Sequence, residues 1–398
     1  MEKFRDKIFN EEVFEQYTKK LQSTKENSLI KNGLFKSVNK YRAKFTSQTG
    51  GYAIVEPIEG RIGGTPVNYD GNTDIPKGAE RDTFFQRKIA YGRANSWGEY
   101  DFSADITGKN FMAEAQEVKD YWDEQRQETV LSILKGIFSM TGGVDGQFVA
   151  KHTYDITNAS NPNLGADSMN RANQKALGDK KGKFDISFMH SMVSTNLEGL
   201  NLIEFLKYTD SNGIQKDLTI GTFNGKLVIV DDQMPTVDVD AEYEKTSDVA
   251  IDSSKTYYTR SGSGTTQSPY VYTEVATPDV DDIADYYEMT AEPYTAYTTY
   301  VFQKQFFEYE DLGVVTNKAI ELARDPYLKG GKNDLISRIR EIIVPMYISY
   351  KGTSAISPEN SDFETGSNWE LVNNAKTGAN KVYVDDKLIP LARIISRG

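Results

Sequence analysis

The strongest constraint in this sequence is one long amphipathic pattern, "NFMAEAQEVKDYWDEQRQETVLSILKGIFSM", at residues 110–140. Asn110 is placed to act as an N-cap, and an apolar stripe at helical spacing follows it: Phe111, Ala115, Val118 and Trp122, then Leu131, Leu134 and Phe138. The pattern predicts one helix of about 45 Å at 1.5 Å per residue. Its central "DEQRQET" has to be exposed or meet polar partners, because buried unpaired charge is costly.

Length and composition exclude several classes of protein. A chain of 398 residues is long enough for two or three compact units with substantial cores. The formal net charge of -12 disfavours general phosphate binding, and the absence of cysteine excludes disulfides and thiolate chemistry. The charged start "MEKFRDKIFNEEVFEQYTKK" does not match a signal peptide, and no apolar run reaches the roughly eighteen residues of a membrane span. We therefore expect a soluble, non-secreted chain.

The first hundred residues predict two segments without a compact core of their own. Residues 1–49 begin with an amphipathic helical pattern, which predicts an arm that packs on something else, such as a neighbouring subunit. Residues 50–101 predict a long β-hairpin, since two β-rich runs flank the turn-forming "TPVNYDGNTDIPKGA". The strands of this hairpin carry too many polar residues to form a hydrophobic core. Such a hairpin is expected to project and to gain partners on assembly.

The chain after the long helix alternates between helix and strand patterns. "GADSMNRANQKALGD" predicts a helix, and "FDISFMHSMVSTNL" predicts a strand with one buried face, followed by a helix that runs to about Tyr208 with Ser191 as N-cap. "GKLVIVDDQMP" at residues 225–235 predicts a buried strand that ends in a turn. Core-like strand and helix patterns return after residue 296.

Residues 241–296 differ in composition from the rest of the chain. The segment is rich in Tyr, Thr, Ser and Asp in short alternating runs, which favours a small β-rich insertion whose aromatics fill a miniature core over a linker with solvated tyrosines. Charge is also uneven: residues 238–288 hold three Lys and Arg against twelve Asp and Glu, whereas residues 2–44 hold eleven against six. The two segments are expected to face different environments, although each could equally be a solvated surface.

The sequence offers no convincing catalytic or metal-binding set. His190 and Ser191 are neighbours, but nucleophilic catalysis needs a hydroxyl within reach of the ring and a third group that orients it. We interpret His190 and His152 as structural residues. The acidic runs "VDVDAEYE" and "DDIADYYE" lack the glycine and ligand order of a calcium loop, and the glycine pairs lack the context of a phosphate cradle. No catalytic, cofactor-binding or metal-ligating residue is therefore predicted.

The order of segments resembles the major capsid proteins of tailed bacteriophages, which have the HK97 fold. The resemblance covers nearly the whole chain outside the insertion and is carried by "IFNEEVFEQY", "VNYDGNTDI", "YGRANSWGEYDFSADITG", "LSILKGIFSM", "KHTYDIT", "FMHSMVSTNLEGLNLIEFLKYTDSNGIQ", "GKLVIVDDQMP" and "ELARDP". The pairing of "MHS" with "VDDQMP" after the long helix is its most specific part.

The resemblance implies an α+β, HK97-like fold and a division of the chain. The implied parts are residues 1–49, N-terminal arm; 50–101, E-loop; 102–165, first P-domain part with the spine helix; 166–240, first A-domain part; 241–296, tyrosine-rich β insertion; 297–334, second A-domain part; and 335–398, second P-domain part. Some relatives carry a lysine to asparagine isopeptide cross-link. Lys77 near the hairpin tip is a candidate donor, but no partner matches, so no cross-link is predicted.

The function that the resemblance implies is self-assembly into hexamers and pentamers of an icosahedral phage head around double-stranded DNA. The chain would then be a non-enzymatic virion protein, assembled in the cytoplasm of a bacterial host, without cofactors or a membrane. Scaffolding and portal proteins are expected partners, together with non-specific contact to DNA and a possible decoration protein at the insertion. Because Met1 leads directly into the arm, scaffolding is expected from a separate protein.

Three other functions remain open at this point. An encapsulin-type nanocompartment would use the same fold to enclose cargo enzymes. A surface-binding module would use the tyrosines of the insertion, since exposed aromatic side chains suit saccharide or protein contact. A carboxylate hydrolase ranks last, because nothing singles out a catalytic pair among 58 Asp and Glu residues.

Overall fold

The fold is taken from a computed structural model, which describes residues 33–47, 52–62, 66–74, 81–107, 115–209, 215–266, 268–313, 320–353 and 356–398. The predicted amphipathic start of the arm, Lys77 and Asn110 lie outside these ranges. The helices of the described residues are α1 (Tyr41–Ser47), α2 (Asp101–Thr107), α3 (Ala115–Ile137), α4 (Gly143–His152), α5 (Ala166–Leu177), α6 (Ser191–Gly199) and α7 (Asn360–Glu364).

The strands of the same residues are β1 (Phe35–Ser37), β2 (Ala53–Glu59), β3 (Thr83–Tyr100), β4 (Thr153–Asp155), β5 (Ile186–Met189), β6 (Ile203–Thr209), β7 (Gln215–Phe223), β8 (Lys226–Val230), β9 (Thr236–Val239), β10 (Glu242–Lys245), β11 (Tyr257–Ser261), β12 (Val271–Glu274), β13 (Tyr287–Ala291), β14 (Tyr294–Phe302), β15 (Phe307–Asp311), β16 (Ile320–Asp325), β17 (Lys332–Pro345), β18 (Ile348–Tyr350), β19 (Trp369–Leu371) and β20 (Leu391–Ser396). The predicted α+β class is confirmed.

Two large sheets organise the chain. The first has the order β1-β15-β17-β3-β2, with β16 on the other part of β17, and the second has the order β4-β20-β14-β5-β8-β7-β6, with β9 on β14. The predicted boundary between residues 334 and 335 lies inside β17. The last strand, β20, was predicted to belong with the long helix but pairs with β14 in the second sheet. The predicted boundary between residues 296 and 297 likewise lies inside β14, and the division into domains stays a prediction.

The long helix α3 packs on a core that includes residues of both large sheets. Its described part is about 34 Å long at 1.5 Å per residue, and the predicted stripe is buried at Val118, Trp122, Leu131 and Leu134. The helix approaches α7 so closely that a Cβ on Gly136 would lie 1.8 Å from the carbonyl oxygen of Phe363. Only glycine fits at this crossing.

The stretch around His190 differs from the prediction in three ways. Strand β5 is buried on both faces, because it lies in the interior of its sheet between β14 and β8. Helix α6 ends at Gly199 instead of continuing to about Tyr208, and the chain goes on as strand β6. The break occurs where Asn201 takes a left-handed backbone conformation with φ of 54°, which no α-helix can contain.

The predicted β-rich insertion contains a separate four-stranded sheet of order β10-β13-β11-β12. The insertion leaves and rejoins the rest of the chain at a short ladder, in which β9 pairs antiparallel with the first residues of β14, Tyr294–Tyr297. Tyr257, Ile283 and Tyr286 are buried together under this sheet. The expected miniature aromatic core is therefore present.

Candidate interaction surfaces

His190 serves as the N-cap of α6. Its Nδ1 accepts a hydrogen bond from the backbone N–H of Met192 at 3.1 Å, and its ring packs on Tyr297 at 4.9 Å between centroids. The prediction that Ser191 caps the helix is wrong, because Ser191 is the first helical residue. In the part of the chain that the structure describes, no hydrogen bond joins Ser191 to His190. The geometry thus gives this histidine a structural role.

His152 is buried at the end of α4. Its Nδ1 lies 2.5 Å from the carbonyl oxygen of Leu391, so this nitrogen carries the proton and donates, and the ring packs on Phe148. Burial lowers the pKa of His152, which keeps the ring neutral. Within the described ranges, no group of three or more His, Cys, Asp and Glu is arranged to hold a metal ion. The structure therefore places the two histidines in the framework and in no common site.

The hairpin of β2 and β3 extends beyond the first large sheet. Residues 83–89 of β3 pair with β2, whereas residues 90–100 pair with β17, and the ribbon of β2 and β3 is also bridged through Phe85 to Asn373. Ile62, Val67 and Tyr69 beyond the ribbon are 79%, 41% and 91% exposed. A two-stranded hairpin has little independent stability in water. This hairpin therefore presents apolar side chains that the described part of its own chain leaves exposed.

The base of the hairpin is less polar than predicted. Ile54, Ile89, Ala90 and Tyr91 are buried, because β3 runs between β2 and β17. On the outer strand pair, the side chain of Gln86 donates hydrogen bonds to the carbonyl oxygens of Pro345 and Ile348, both at 2.9 Å. The hairpin thus has an anchored base and an exposed tip.

A buried ion cluster joins the hairpin base to α1 and β15. Lys88 has a side chain only 2% exposed, pairs with Glu56 and Glu308, and donates to the Tyr41 hydroxyl at 2.6 Å. Burial raises the pKa of Glu56, but hydrogen bonds from Lys88 and Lys44 and the charge of Lys88 lower it to about 2. Burial also lowers the pKa of Lys88, although its interactions with Glu56 and Glu308 act to raise it. The cluster fixes the hairpin base to α1, near the end of the predicted arm, and to β15.

Sequence reasoning missed this cluster. The available signal was a lysine inside an otherwise alternating strand, "FFQRKIAYG", since a lysine is almost never fully buried without a partner. Its partners lie on strands 32 and 220 residues away, so the pattern alone could not identify them.

The polar centre of α3 meets polar partners, as one of the two predicted alternatives required. Arg126 donates through Nε to Glu341 at 2.8 Å and also pairs with Asp123, while Gln127 donates to Asp231. Glu341 is completely buried in β17. The centre of the helix therefore buries the charge of Arg126 by pairing it with Glu341 of the first large sheet.

The four-stranded sheet of the insertion carries tyrosines on both faces. Tyr257 lies on the face above the miniature core, and its hydroxyl donates to Asp248 at 2.9 Å. We call the other side the tyrosine face and define it by Tyr243, Tyr258, Tyr272 and Tyr287, all half-buried. The four rings contact one another and remain partly open to solvent.

Comparison with known proteins finds solved structures that are similar to this chain, but no similar sequence. No family model matches the chain, and no curated protein matches it. Solved structures similar to this chain include phage capsids. They are an acidic stable capsid of Helicobacter pylori bacteriophage KHP30 (11% identity, 100% of both chains, TM-score 0.47), the cyanophage Pam1 capsid (8%, 96% of this chain and 95% of that one, 0.49) and the mature capsid of bacteriophage PhiM1 (12%, 85% and 88%, 0.44).

At TM-scores below 0.5, function has to be argued from the residues of the chain itself. Among the described helices, none combines the length and the apolar character needed to span a bilayer.

Proposed function

We propose that this chain is the major coat protein of a tailed-phage head, a subunit of HK97-like architecture that assembles as hexamers and pentamers around double-stranded DNA. The observation that carries the proposal is the hairpin. Its base is fixed by the buried Lys88, while Ile62 and Tyr69 near its tip remain exposed. Among the described residues of the same chain none buries these two side chains, and a repeated chain supplies their burial by symmetry.

The remaining parts take roles in the same proposal. The hairpin is the E-loop, α3 is the spine helix, and the second large sheet with α5 and α6 forms most of the A-domain. The predicted arm at residues 1–49 and the hairpin reach neighbouring subunits, so that each copy gains buried surface only on assembly. DNA contact is restricted to the basic residues of the arm, because the net charge of -12 repels phosphate elsewhere.

An encapsulin-type compartment is the second candidate, since the same subunit geometry would enclose protein cargo. Electron microscopy of the purified, overexpressed chain tests the shared part of both proposals by detecting closed shells of one size. Particles purified from their native source, treated with nuclease and then opened, separate the two. Protected double-stranded DNA supports the phage head, and protected protein with no DNA supports the compartment.

A variant of the hairpin tests the structural reason for assembly. Ile62→Ser combined with Tyr69→Ser is expected to leave a folded chain that forms no shells. The matched control is Val249→Ser, which removes a side chain that is 89% exposed on the insertion, and it should assemble normally. Shells formed by the hairpin variant at wild-type yield would contradict the proposed role of the hairpin.

A further inference from the structure

The four-stranded sheet of the insertion has two unlike faces, and strand register defines them. Tyr258 is opposite Tyr287, Arg260 is opposite Tyr272, and Tyr243 is opposite Met289. Directly opposed residues of neighbouring strands point to the same side of a sheet, and successive residues alternate. The tyrosine face therefore lies on the side away from the miniature core.

The rings of the tyrosine face pack on one another. Tyr243 and Tyr272 are stacked, with centroids 3.9 Å apart and planes at 8°, and Tyr258 and Tyr287 meet this pair edge-on at 5.0 Å and 5.5 Å. A core is already present on the opposite side of the sheet, so these rings are not needed to fill it. They form a preorganised aromatic surface that remains half-exposed.

One cation already lies on this surface. The guanidinium carbon of Arg260 is 4.7 Å from the ring centroid of Tyr287 and 4.3 Å from that of Tyr270. Both distances lie within the roughly 6 Å over which a ring attracts a cation. The face therefore accommodates a guanidinium group in at least one place.

The charge around the face restricts its partner. Residues 238–288 hold twelve Asp and Glu against three Lys and Arg, and two of these three cations are paired inside the segment. Lys255 pairs with Asp248 and Glu288, and Lys245 pairs with Asp285. A strongly acidic surface repels DNA, anionic lipid and a second copy of itself, and attracts a cationic partner.

We propose that the tyrosine face is a docking surface for a basic segment of a protein partner, whose arginine or lysine side chains lie over the tyrosine rings as Arg260 does. The rings supply the contact area and the surrounding carboxylates supply the attraction. The proposal does not depend on shell assembly, because the face, its core and its charges belong to one copy of the insertion.

The test is a binding titration of the full-length chain with a fluorescent peptide of alternating arginine and glycine. Tyr243→Ser combined with Tyr272→Ser is expected to weaken binding about fivefold or more, since each substitution removes a ring that would contact an arginine of the peptide. Tyr243→Phe combined with Tyr272→Phe keeps the rings and should bind like the wild type. Val249→Ser combined with Val280→Ser removes two exposed side chains in the same acidic segment and should also have no effect.

Three results would overturn the proposal. Equal binding by the serine variant would show that the carboxylates alone attract the peptide. Loss of binding in the phenylalanine variant would show that the hydroxyls, not the rings, are recognised. Tighter binding of an N-acetylglucosamine hexasaccharide than of the basic peptide would make the face a saccharide site. Amide exchange of residues 257 and 283–286, measured on every variant, confirms that the core under the sheet is intact.

Discussion

The second large sheet and the four-stranded sheet of the insertion share a connection but differ in how they use their aromatic side chains. Strand β14 belongs to the large sheet, and its first residues pair with β9 to form the stem of the insertion. In the large sheet, Phe302 and Ile394 are completely buried. In the insertion only one face covers a core, and the other holds an open group of tyrosines. The large sheet thus stabilises the chain, whereas the small sheet leaves aromatic surface for contact.

The largest expected difference between the two sheets is in core truncation. Phe302→Ala should lower the free energy of unfolding by about 3–5 kcal/mol, because it leaves a cavity in the core that includes residues of both large sheets. Ile283→Ala in the miniature core of the insertion is the matched truncation, and it should change the free energy of unfolding of the large sheets by less than about 0.5 kcal/mol because it leaves their core intact. Urea denaturation followed by tryptophan fluorescence measures both, since Trp97, Trp122 and Trp369 all lie outside the insertion. Similar losses in both variants would contradict the comparison.

A second substitution tests whether the insertion unfolds independently of the large sheets. Tyr257→Ala removes the main side chain of the miniature core and the hydroxyl that pairs with Asp248. We expect amide exchange in strands β10 to β13 to become about tenfold faster or more, while exchange in β14 and β20 stays unchanged. The reason is that the miniature core of the insertion shares no residue with the cores in which β14 and β20 are buried. Faster exchange throughout β14 would show that the two sheets unfold together.

Lowering the pH should destabilise the large sheets and not the insertion, because the two histidines of the chain lie outside the insertion. The pKa of His152 is lowered by burial, so between its folded value and about 6.5 the unfolded chain binds a proton that the folded chain does not. Stability should therefore fall as the pH drops below about 6.5, with a slope of up to about 1.4 kcal/mol per pH unit for this proton. His152→Leu should remove this part of the slope in urea denaturation followed from pH 8 to pH 5.

The control for this prediction is the insertion itself. Its amide exchange, corrected for the intrinsic effect of pH, should show no matching change over the same range. A wild-type slope retained in the His152→Leu variant would assign the acid sensitivity to other groups.

The sequence predicted local patterns better than long-range partners. The stripe of α3 follows from its spacing, because a period of 3.6 reports which side of a helix faces a core, whereas the aromatic core of the insertion was predicted from composition together with short alternating runs. For "DEQRQET" the sequence left open whether the segment is exposed or meets polar partners. The partner of Arg126 is Glu341, which lies 215 residues away in the chain, so local spacing could not identify it. The pattern Val193, Leu197, Leu200 and Ile203 continues smoothly past the true helix end, and only the backbone of Asn201 breaks it.

The interaction surfaces were predictable to different degrees. The hairpin was predicted from its turn residues and polar strands, but its buried base was not, since β17 joins β3 from more than two hundred residues away in the chain. The tyrosine face depended on register between four strands, which alternation alone does not give.

The smallest effect is expected from removing the insertion entirely. Replacing residues 241–292 by a short glycine-serine turn leaves the ladder of β9 and β14 in place, because its pairs run from Thr236 with Tyr297 to Val239 with Tyr294. A turn between Asp240 and Pro293 then closes a short hairpin, whose entropic cost is lower than that of the long excursion it replaces. The midpoint of urea denaturation should stay within the error of the wild type, and shells should form if the coat-protein proposal is correct. A large loss of stability would mean that the insertion supports the large sheet, and the functional separation of the two sheets would then be wrong.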